Sequence, residues 1–349
     1  MLKAKLSIAI ALVAVLVLLS PAAYADTGGT ASGSFGAASS TPQVTAVNIY
    51  APSDPNCTGS PITDMTPQTE WYYAKVSVTS NSKLKHLETV SATLFYNDGS
   101  DPNMPAPGSG DVHDVAILTC TVGTATWTSD FGGSSTWDLN QAGCLPPVSL
   151  EATSGDWIFA FKPGTVAREN IGAAMWNVQG YAQNKTDGKH GDRYVRDKNM
   201  MWYGGITVNT PSVDWGEAPL GLTFDQDTVN GNPQTDISVK YIANGDYYEN
   251  VNSSENWTGF ASSEIVALDG TGGDPPLDDS QFALKGNDVS DNTTWVIVQT
   301  SYNPIDSTGA MTEESGNTEL ANTLWLSLSA AGITPDRYDG EIHYQIENR

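Results

Sequence analysis

Apolar and polar residues alternate with a period of two along most of the chain. In EWYYAKVSVTS, Tyr72, Ala74, Val76 and Val78 fall on one face of an extended chain. The same alternation recurs in TVSATLFY, GDWIFAFKPG, MWNVQGYA, NMMWYGGITV, DISVKYI, TWVIVQTSY, TLWLSLS and GEIHYQIEN. This period is typical of β-strands with one buried face, and the Gly, Asn, Asp and Pro residues between the segments favour turns. No long amphipathic helix is evident, so the pattern predicts an all-β protein.

The N-terminal segment departs from this pattern. Two lysines precede the apolar run LSIAIALVAVLVLL, which a proline ends and the small-residue sequence AYA follows. The run is short for a membrane span, and small residues at this spacing suit signal peptidase. We therefore expect residues 1–25 to be a cleaved signal peptide and the mature chain to begin near Asp26. The mature protein is then extracellular or on the cell surface, with no membrane span.

The mature chain is long enough for two domains. After a flexible polar leader over residues 26–42, strand patterns fill the stretches 43–208 and 209–349. A domain usually holds about 100–200 residues, so two units are the economical count. Pro211 lacks the N–H that a strand ladder needs, and we therefore predict the domain junction near residues 208–212.

Both stretches resemble modules of known surface proteins. The first, QVTAVNIY through SPITDMTPQTEWYYAKVSVTS to TVSATLFY, resembles the immunoglobulin-like modules of prokaryotic surface proteins. The second opens with VDWGEAPLG and closes with RYDGEIHYQIEN, and it is similar to the terminal β-sandwiches of secreted wall-associated and fibre-forming proteins. The resemblance implies two β-sandwich domains of immunoglobulin-like type.

The chain is strongly acidic, because 16 Lys and Arg residues oppose 40 Asp and Glu residues and leave a net charge of −24. Hydrophobic residues make up 39% of the chain and charged residues 16%, a composition typical of a folded protein. A surface of this sign repels phosphate backbones and anionic lipid headgroups. Nucleic-acid binding and peripheral membrane binding are therefore disfavoured.

Three cysteines, Cys57, Cys120 and Cys144, are available for pairing in an oxidising exterior. Cys120 lies in a strand-like run, and Cys144 follows a loop rich in Gly, Ser and Asn. A disulfide that closes the loop between them would stabilise the fold by about 3 kcal/mol, if its effect is the reduced entropy of the unfolded chain. We predict the Cys120–Cys144 disulfide, with a Cys57–Cys144 pair or three free thiols as the alternatives.

Two acidic loops, DQDTVNGNPQTD and LDGTGGDPPLDD, suit Ca²⁺, which takes about six to eight oxygen ligands. Turn formation alone selects the same Asp, Asn and Gly residues, so a purely conformational role is the alternative. The candidate calcium ligands are Asp225, Asp227, Asn230 and Asp236 in the first loop and Asp269, Asp274, Asp278 and Asp279 in the second.

Signatures of catalysis are not evident, since the sequence holds no G-x-S-x-G, no H-E-x-x-H and no Gly-rich phosphate loop. His113 in SGDVHDV and His190 in DGKHGDR lie beside aspartates, as metal or acid–base sites require, but exposed loops commonly hold such residues too. Glu341 and His343 alternate with apolar residues and are interpreted as the polar face of a strand. Two well-placed carboxylates suffice for a glycosidase, so a secreted hydrolase is the minority hypothesis.

Most of the 10 tryptophans fall in strand patterns, where packing in a core is expected. Trp137 in GGSSTWDLN and Trp257 in SSENWTG lie in polar, turn-rich sequence instead. Exposed tryptophans there would stack on sugar rings, which makes carbohydrate binding an alternative function. Sequons that would carry glycans in a suitable host begin at Asn56, Asn184, Asn252, Asn256 and Asn292.

The signal peptide, the acidic strand-rich composition and the resemblance favour a non-enzymatic structural protein of the cell exterior, a subunit of a surface layer, fibre or envelope coat. Strand edges allow such subunits to add to one another. A secreted carbohydrate- or protein-binding module is the first alternative, and the hydrolase is the second.

Overall fold

The computed structural model describes residues 40–97, 112–172, 175–221, 233–271, 278–287 and 295–349, without the side chains of residues 306–308 and 319–321. The predicted signal peptide and nearly all of the predicted leader lie outside the described residues. Residues 39–349 form one compact unit. Among the described residues, no helix is long and apolar enough to cross a membrane.

Strands dominate the described part of the chain, and its only helical elements are the 3₁₀ turns Leu84–His86 and Gln141–Gly143. The first ten strands are β1 Gln43–Tyr50, β2 Asp64–Met65, β3 Tyr72–Thr79, β4 Leu87–Asn97, β5 Val115–Thr121, β6 Thr126–Asp130, β7 Asp138–Leu139, β8 Ser154–Lys162, β9 Met175–Asn184 and β10 His190–Met200. The others are β11 Gly204–Val208, β12 Gln234–Ala243, β13 Tyr247–Ser253, β14 Asn256–Gly259, β15 Ile265–Leu268, β16 Gln281–Asn287, β17 Val296–Ile297, β18 Asn303–Gly309, β19 Asn317–Leu328, β20 Tyr338–Asp339 and β21 Ile342–Asn348.

The first sandwich contains strands β1 to β10. A four-stranded sheet of order β1-β3-β8-β7 packs against a six-stranded sheet of order β2-β10-β9-β4-β5-β6. Trp157, Phe159 and Phe161 of β8 and Trp176 and Val178 of β9 are fully buried between the sheets. The alternation of residues in the sequence therefore identified the inward faces of these strands. Strand β1 pairs antiparallel with β3 of its own chain.

The second sandwich contains strands β11 to β21. An eight-stranded sheet has the order β11-β12-β19-β16-β15-β14-β20, with β17 paired to β16, and it faces a three-stranded sheet of order β18-β13-β21. Tyr241, Phe282 and Leu324 from the wide sheet share a core with Tyr247 and Val251 from the narrow one. The two pairs of sheets confirm the predicted all-β, sandwich-type fold.

The boundary between the sandwiches lies earlier than the sequence predicts. Strand β11 pairs with β12, from Gly204 opposite Ala243 to Val208 opposite Val239. The strand that was assigned to the end of the first domain therefore belongs to the second sandwich. The predicted junction near residues 208–212 is misplaced, and the chain passes between the sandwiches at residues 201–203.

The sandwiches meet at a polar junction around Asn244, a residue with no solvent exposure. Its side-chain amide donates to the carbonyl oxygens of Ala167 (2.8 Å) and Met201 (2.9 Å). Its side-chain oxygen accepts from the N–H of Tyr203 at 2.7 Å, and its carbonyl accepts from the N–H of Glu169 at 2.9 Å. A residue of the second sandwich thus satisfies backbone groups of the first sandwich and of the linking residues.

Candidate functional site

A cleft of about 1250 Å³ opens at one end of the second sandwich. Two chain segments, residues 208–220 and 333–344, provide most of its walls. Strand β12 contacts the junction through Ala243 at its C-terminal end, whereas Ile237 near its start lines the cleft. The cleft therefore lies at the end of the second sandwich that is distant from the junction.

The floor of the cleft is apolar and includes residues of the eight-stranded sheet. Its centre is Trp257 of β14, whose ring centroid is 4.7 Å from that of Phe282 and 5.5 Å from that of Trp215. Trp215 comes from the wall segment and donates from its indole N–H to the carbonyl of Leu324 at 3.1 Å. Side chains of Ile237 and other strand residues complete the floor.

The rim of the cleft is acidic. Arg337, a rim cation, donates to both carboxylate oxygens of Asp339 at 2.9 and 2.8 Å. His343 lies 3.5 Å from the carboxylate of Glu341. The rim carboxylates belong to Asp214, Glu217, Asp336, Asp339 and Glu341. Because Arg337 is already paired, the rim presents net negative charge to a ligand.

One rim carboxylate, that of Asp336, accepts hydrogen bonds from the neighbouring turn at residues 261–262. The carboxylate of Asp336 accepts from the N–H of Ser262 (2.7 Å), from its hydroxyl (2.7 Å) and from the N–H of Ala261 (2.9 Å). The Ser262 hydrogen bonds lower the pKa of Asp336 to about 2, because they favour the ionised form. Asp336 is therefore ionised at neutral pH, where its hydrogen bonds stabilise this part of the rim, and it is a poor proton donor.

The described members of the predicted calcium set are not brought together. Asp236 lies on β12 and accepts from the hydroxyl of Thr323 at 2.7 Å. The carboxylate of Asp269 accepts from the N–H and hydroxyl of Thr271, which makes it part of a turn. Asp278 and Asp279 are exposed, and no group of three or more potential metal ligands occurs within the described ranges. Asp225, Asp227, Asn230 and Asp274 lie outside the described residues.

All three cysteines are buried and have free thiols in the structure. Cys120 and Cys144 belong to the core of the first sandwich, whereas Cys57 packs in a separate cluster with Tyr50 and Ile158. Burial raises the pKa of Cys120 and of Cys57 to about 12 and that of Cys144 to about 11. The Cys120–Cys144 bridge, which is not formed here, stays a prediction for the oxidised protein.

Both tryptophans that were predicted to be exposed are buried. Trp137 is 3% exposed and donates from its indole N–H to the carbonyl of Val112 at 2.9 Å. Trp257 is 6% exposed and donates to the hydroxyl of Ser253 at 3.2 Å. Neither ring is available for a sugar on the outer surface, because polar flanking residues form turns around rings that still pack inward. Trp257 contributes to a ligand site only as the floor of the cleft.

Other predicted residues take ordinary structural positions. The ring of His190 stacks on Tyr181, and the ring of His113 approaches the carbonyl of Thr312 at 3.3 Å. The sequon residue Asn184 is 1% exposed, so a glycan cannot be added there in the folded protein. Asn56 and Asn256 are exposed, Asn252 is partly exposed, and Asn292 lies outside the described residues.

Sequence reasoning did not identify Glu314, a second contact residue at the junction. Its carboxylate accepts from the hydroxyls of Ser134, Ser135 and Thr136 and from the N–H groups of Ser135 (2.8 Å) and Thr136 (3.0 Å). Burial alone would raise the pKa of Glu314, but these hydrogen bonds outweigh it and lower the pKa to about 2. The loop FGGSST, with its adjacent hydroxyl residues, was the available signal for an anion-binding turn.

Comparisons with known proteins give little further information. No family model matches the chain, and no curated protein matches it. One solved structure that matches is the crystal structure of Spo0M, a sporulation control protein from Bacillus subtilis. The match has 9% sequence identity and a TM-score of 0.23, and it covers 58% of this chain and 67% of that chain. A TM-score of this size supports no inference about function.

Proposed function

We propose that the protein is a non-enzymatic structural protein of the cell exterior, a subunit of a surface layer, fibre or envelope coat. The observation that supports this proposal is the junction, where Asn244 and Glu314 attach the second sandwich to backbone and hydroxyl groups of the first. Domains joined by small interfaces usually move relative to one another. Buried, well-satisfied polar contacts oppose such motion, and a coat subunit needs a fixed geometry.

Fractionation of producing cells tests this proposal. We expect most of the protein to sediment with the envelope in assemblies of high mass, and we expect treatment with denaturant to release it as single chains. Abundant monomer in the culture medium, with none in the envelope, would contradict the structural role.

A matched pair of variants tests the part played by the junction. Asn244→Ala removes buried contacts, whereas Asn317→Ala changes an exposed asparagine of the second sandwich outside the cleft. If a fixed geometry is required, Asn244→Ala should yield fewer and less regular envelope assemblies than Asn317→Ala at equal expression. Identical assemblies from both variants would show that the junction is not needed.

The cleft favours a second candidate function, that of a secreted carbohydrate- or protein-binding module. Ligand sites commonly combine an apolar floor with a few polar groups at the edge, and the Trp215–Trp257 pair with the rim carboxylates has this composition. Calorimetric titration with envelope polysaccharides tests this function. We expect Trp215→Ala to abolish binding and Tyr302→Ala, a change at a 41% exposed ring outside the cleft, to leave it intact. Absence of binding by the unmodified protein would remove the candidate.

A further inference from the structure

Charge is divided unequally between the two sandwiches. Residues 43–200 contain ten Lys and Arg against sixteen Asp and Glu, whereas residues 201–349 contain four against twenty-three. Of the four basic residues in the second part, Arg337 is paired with Asp339 and Lys285 is 3% exposed beneath the ring of Trp295. The second sandwich therefore has an acidic surface with few accessible cations.

Four of the ten basic residues of the first sandwich, Lys83, Lys85, Lys185 and Lys189, lie at one end. The turn between β9 and β10, residues 185–189, is exposed at every position and carries Lys185, Lys189 and one acidic residue, Asp187, whose carboxylate lies 3.0 Å from the ammonium group of Lys189. The backbone N–H of Lys185 donates to the carbonyl of His86 at 2.9 Å, which places the neighbouring Lys83 and Lys85 at the same end. These two lysines share a single carboxylate, that of Glu151, at 2.6 and 2.8 Å.

The basic turn and the acidic cleft lie at opposite ends of the described unit. Strand β10 runs from His190 at the turn to Met200 beside the junction, a length of about 30 Å at the usual rise of a strand. The cleft lies at the far end of the second sandwich, where Ile237 near the start of β12 lines it. The turn of a chain therefore cannot fill the cleft of the same chain while the junction holds.

We infer that copies of this protein associate head to tail, with the Lys185–Lys189 turn of one copy docked in the acidic cleft of the next. The inference rests on the proposed structural function and specifies the contact between subunits. The ammonium group of Lys185 meets the rim carboxylates, and that of Lys189 does so in exchange for its contact with Asp187 of its own turn. Their aliphatic stems pack on the partly buried apolar wall at Trp215. Because the two contact surfaces are different and lie at opposite ends, each added copy presents a new free cleft, which yields an open polymer.

Sedimentation velocity of the purified mature chain tests the contact. We expect a concentration-dependent series of species in low salt that dissociates in 0.5 M salt, roughly the range in which exposed charge pairs are screened. Lys185→Glu/Lys189→Glu should weaken association by about tenfold or more. Arg193→Glu/Arg196→Glu makes the same change in net charge within β10, away from the turn, and should weaken association far less.

Mixing two assembly-defective variants gives the sharper result. Glu217→Lys/Glu341→Lys alters only the cleft rim, so this variant keeps its turn and loses its cleft. Alone, this variant and a neutral turn variant, Lys185→Ala/Lys189→Ala, should both remain monomers. Together they should form a one-to-one dimer and nothing larger, because one intact turn meets one intact cleft.

The outcomes separate the contact from the function on which it rests. Association of the mature chain that the two turn substitutions leave unchanged, or reduce no more than the β10 substitutions, overturns the turn-in-cleft contact while the structural role stands. A mixture that yields only monomers also overturns it. If the unmodified chain stays monomeric at every salt concentration and is absent from envelopes, both the contact and the structural role are wrong.

Discussion

Single residues determine how the two sandwiches are joined. Asn244 uses both ends of its amide, and Glu314 binds the N–H and hydroxyl groups of one turn. Hydrogen bonds to a charged acceptor are typically stronger than neutral ones, and a buried group left without a partner costs more than an exposed one. The junction therefore concentrates its stabilisation in a few side chains.

Substitution of Asn244 by alanine should be among the more destabilising changes in the chain. The change leaves the carbonyls of Ala167 and Met201 and the N–H of Tyr203 without their partner. We expect the free energy of unfolding to fall by about 3 kcal/mol, as measured by urea denaturation. Asn209→Ala, at an exposed position, should change it by less than about 0.5 kcal/mol, and a similar effect of both substitutions would contradict the role given to Asn244.

The carboxylate of Glu314 should make stability depend on pH in the acid range. Its pKa in the folded protein, about 2, is below the ordinary value for glutamate, so the ionised form stabilises the fold. This contribution is complete above about pH 5 and is lost as the pH falls toward 2. The melting temperatures of the unmodified protein and Glu314→Gln should therefore differ at pH 6 and converge near pH 2.

Glu313→Gln is the control for this pH profile, because Glu313 is the exposed neighbour of Glu314. We expect its melting temperature to follow that of the unmodified protein across the same range. A constant difference between the unmodified protein and Glu314→Gln from pH 6 to pH 2 would show that the carboxylate contributes no charge-dependent stability.

At the scale of strands, sequence alternation identified most inward faces but not the pairing partners. The buried positions of β3 follow directly from the period of two, whereas β8 and β9 each contain five consecutive buried residues, of which alternation predicted only every second one. Strand β11 shows the same alternation, yet its place in the second sandwich depends on its pairing with β12, which local sequence does not encode. The cleft was missed for a related reason, since its floor and walls come from segments far apart in the chain.

Proteolysis within residues 211–219 should nick the chain without separating its parts. Several residues of this connecting segment are exposed, whereas β11 before it forms a continuous antiparallel ladder with β12. The N-terminal fragment would therefore keep one strand inserted in the sheet of the C-terminal fragment. We expect two fragments under denaturing electrophoresis and one species in native gel filtration; two separate folded species would contradict this strand assignment.

The sheet core also determines the reactivity of the cysteines. With thiol pKa values of about 11 to 12, few thiolates exist at pH 8, so none of the three should react with iodoacetamide in the folded protein. After unfolding without reductant, one reactive thiol, at Cys57, is expected if the Cys120–Cys144 bridge has formed. Three reactive thiols would show that no bridge forms.

At the scale of the whole molecule, acidity is the dominant property. The composition indicated this from sequence alone, but the grouping of four lysines at one end emerges only when β9, β10 and the Leu84–His86 turn are brought together. The cleft rim combines Asp214 and Glu217 with residues from a segment more than a hundred positions later. Total charge was therefore predictable, and its arrangement was not.

Calcium binding remains a prediction at this scale. If Ca²⁺ binds the folded protein alone, the melting temperature should rise with calcium concentration by mass action. Magnesium should do much less, because it prefers a smaller octahedral shell and retains its waters. Equal melting temperatures in millimolar calcium and in chelator would show that the acidic loops are turns without a specific ion.

The short link between the sandwiches has a mechanical consequence. A pull that separates the sandwiches passes through β10 and β11, which are held side by side with β9 and β12 by antiparallel ladders. Load along a strand shears many hydrogen bonds together, and forced unfolding depends on the height of the unfolding barrier. The three linking residues can extend by no more than about 10 Å. Under tension, the protein should therefore act as an almost inextensible connector until an entire ladder fails.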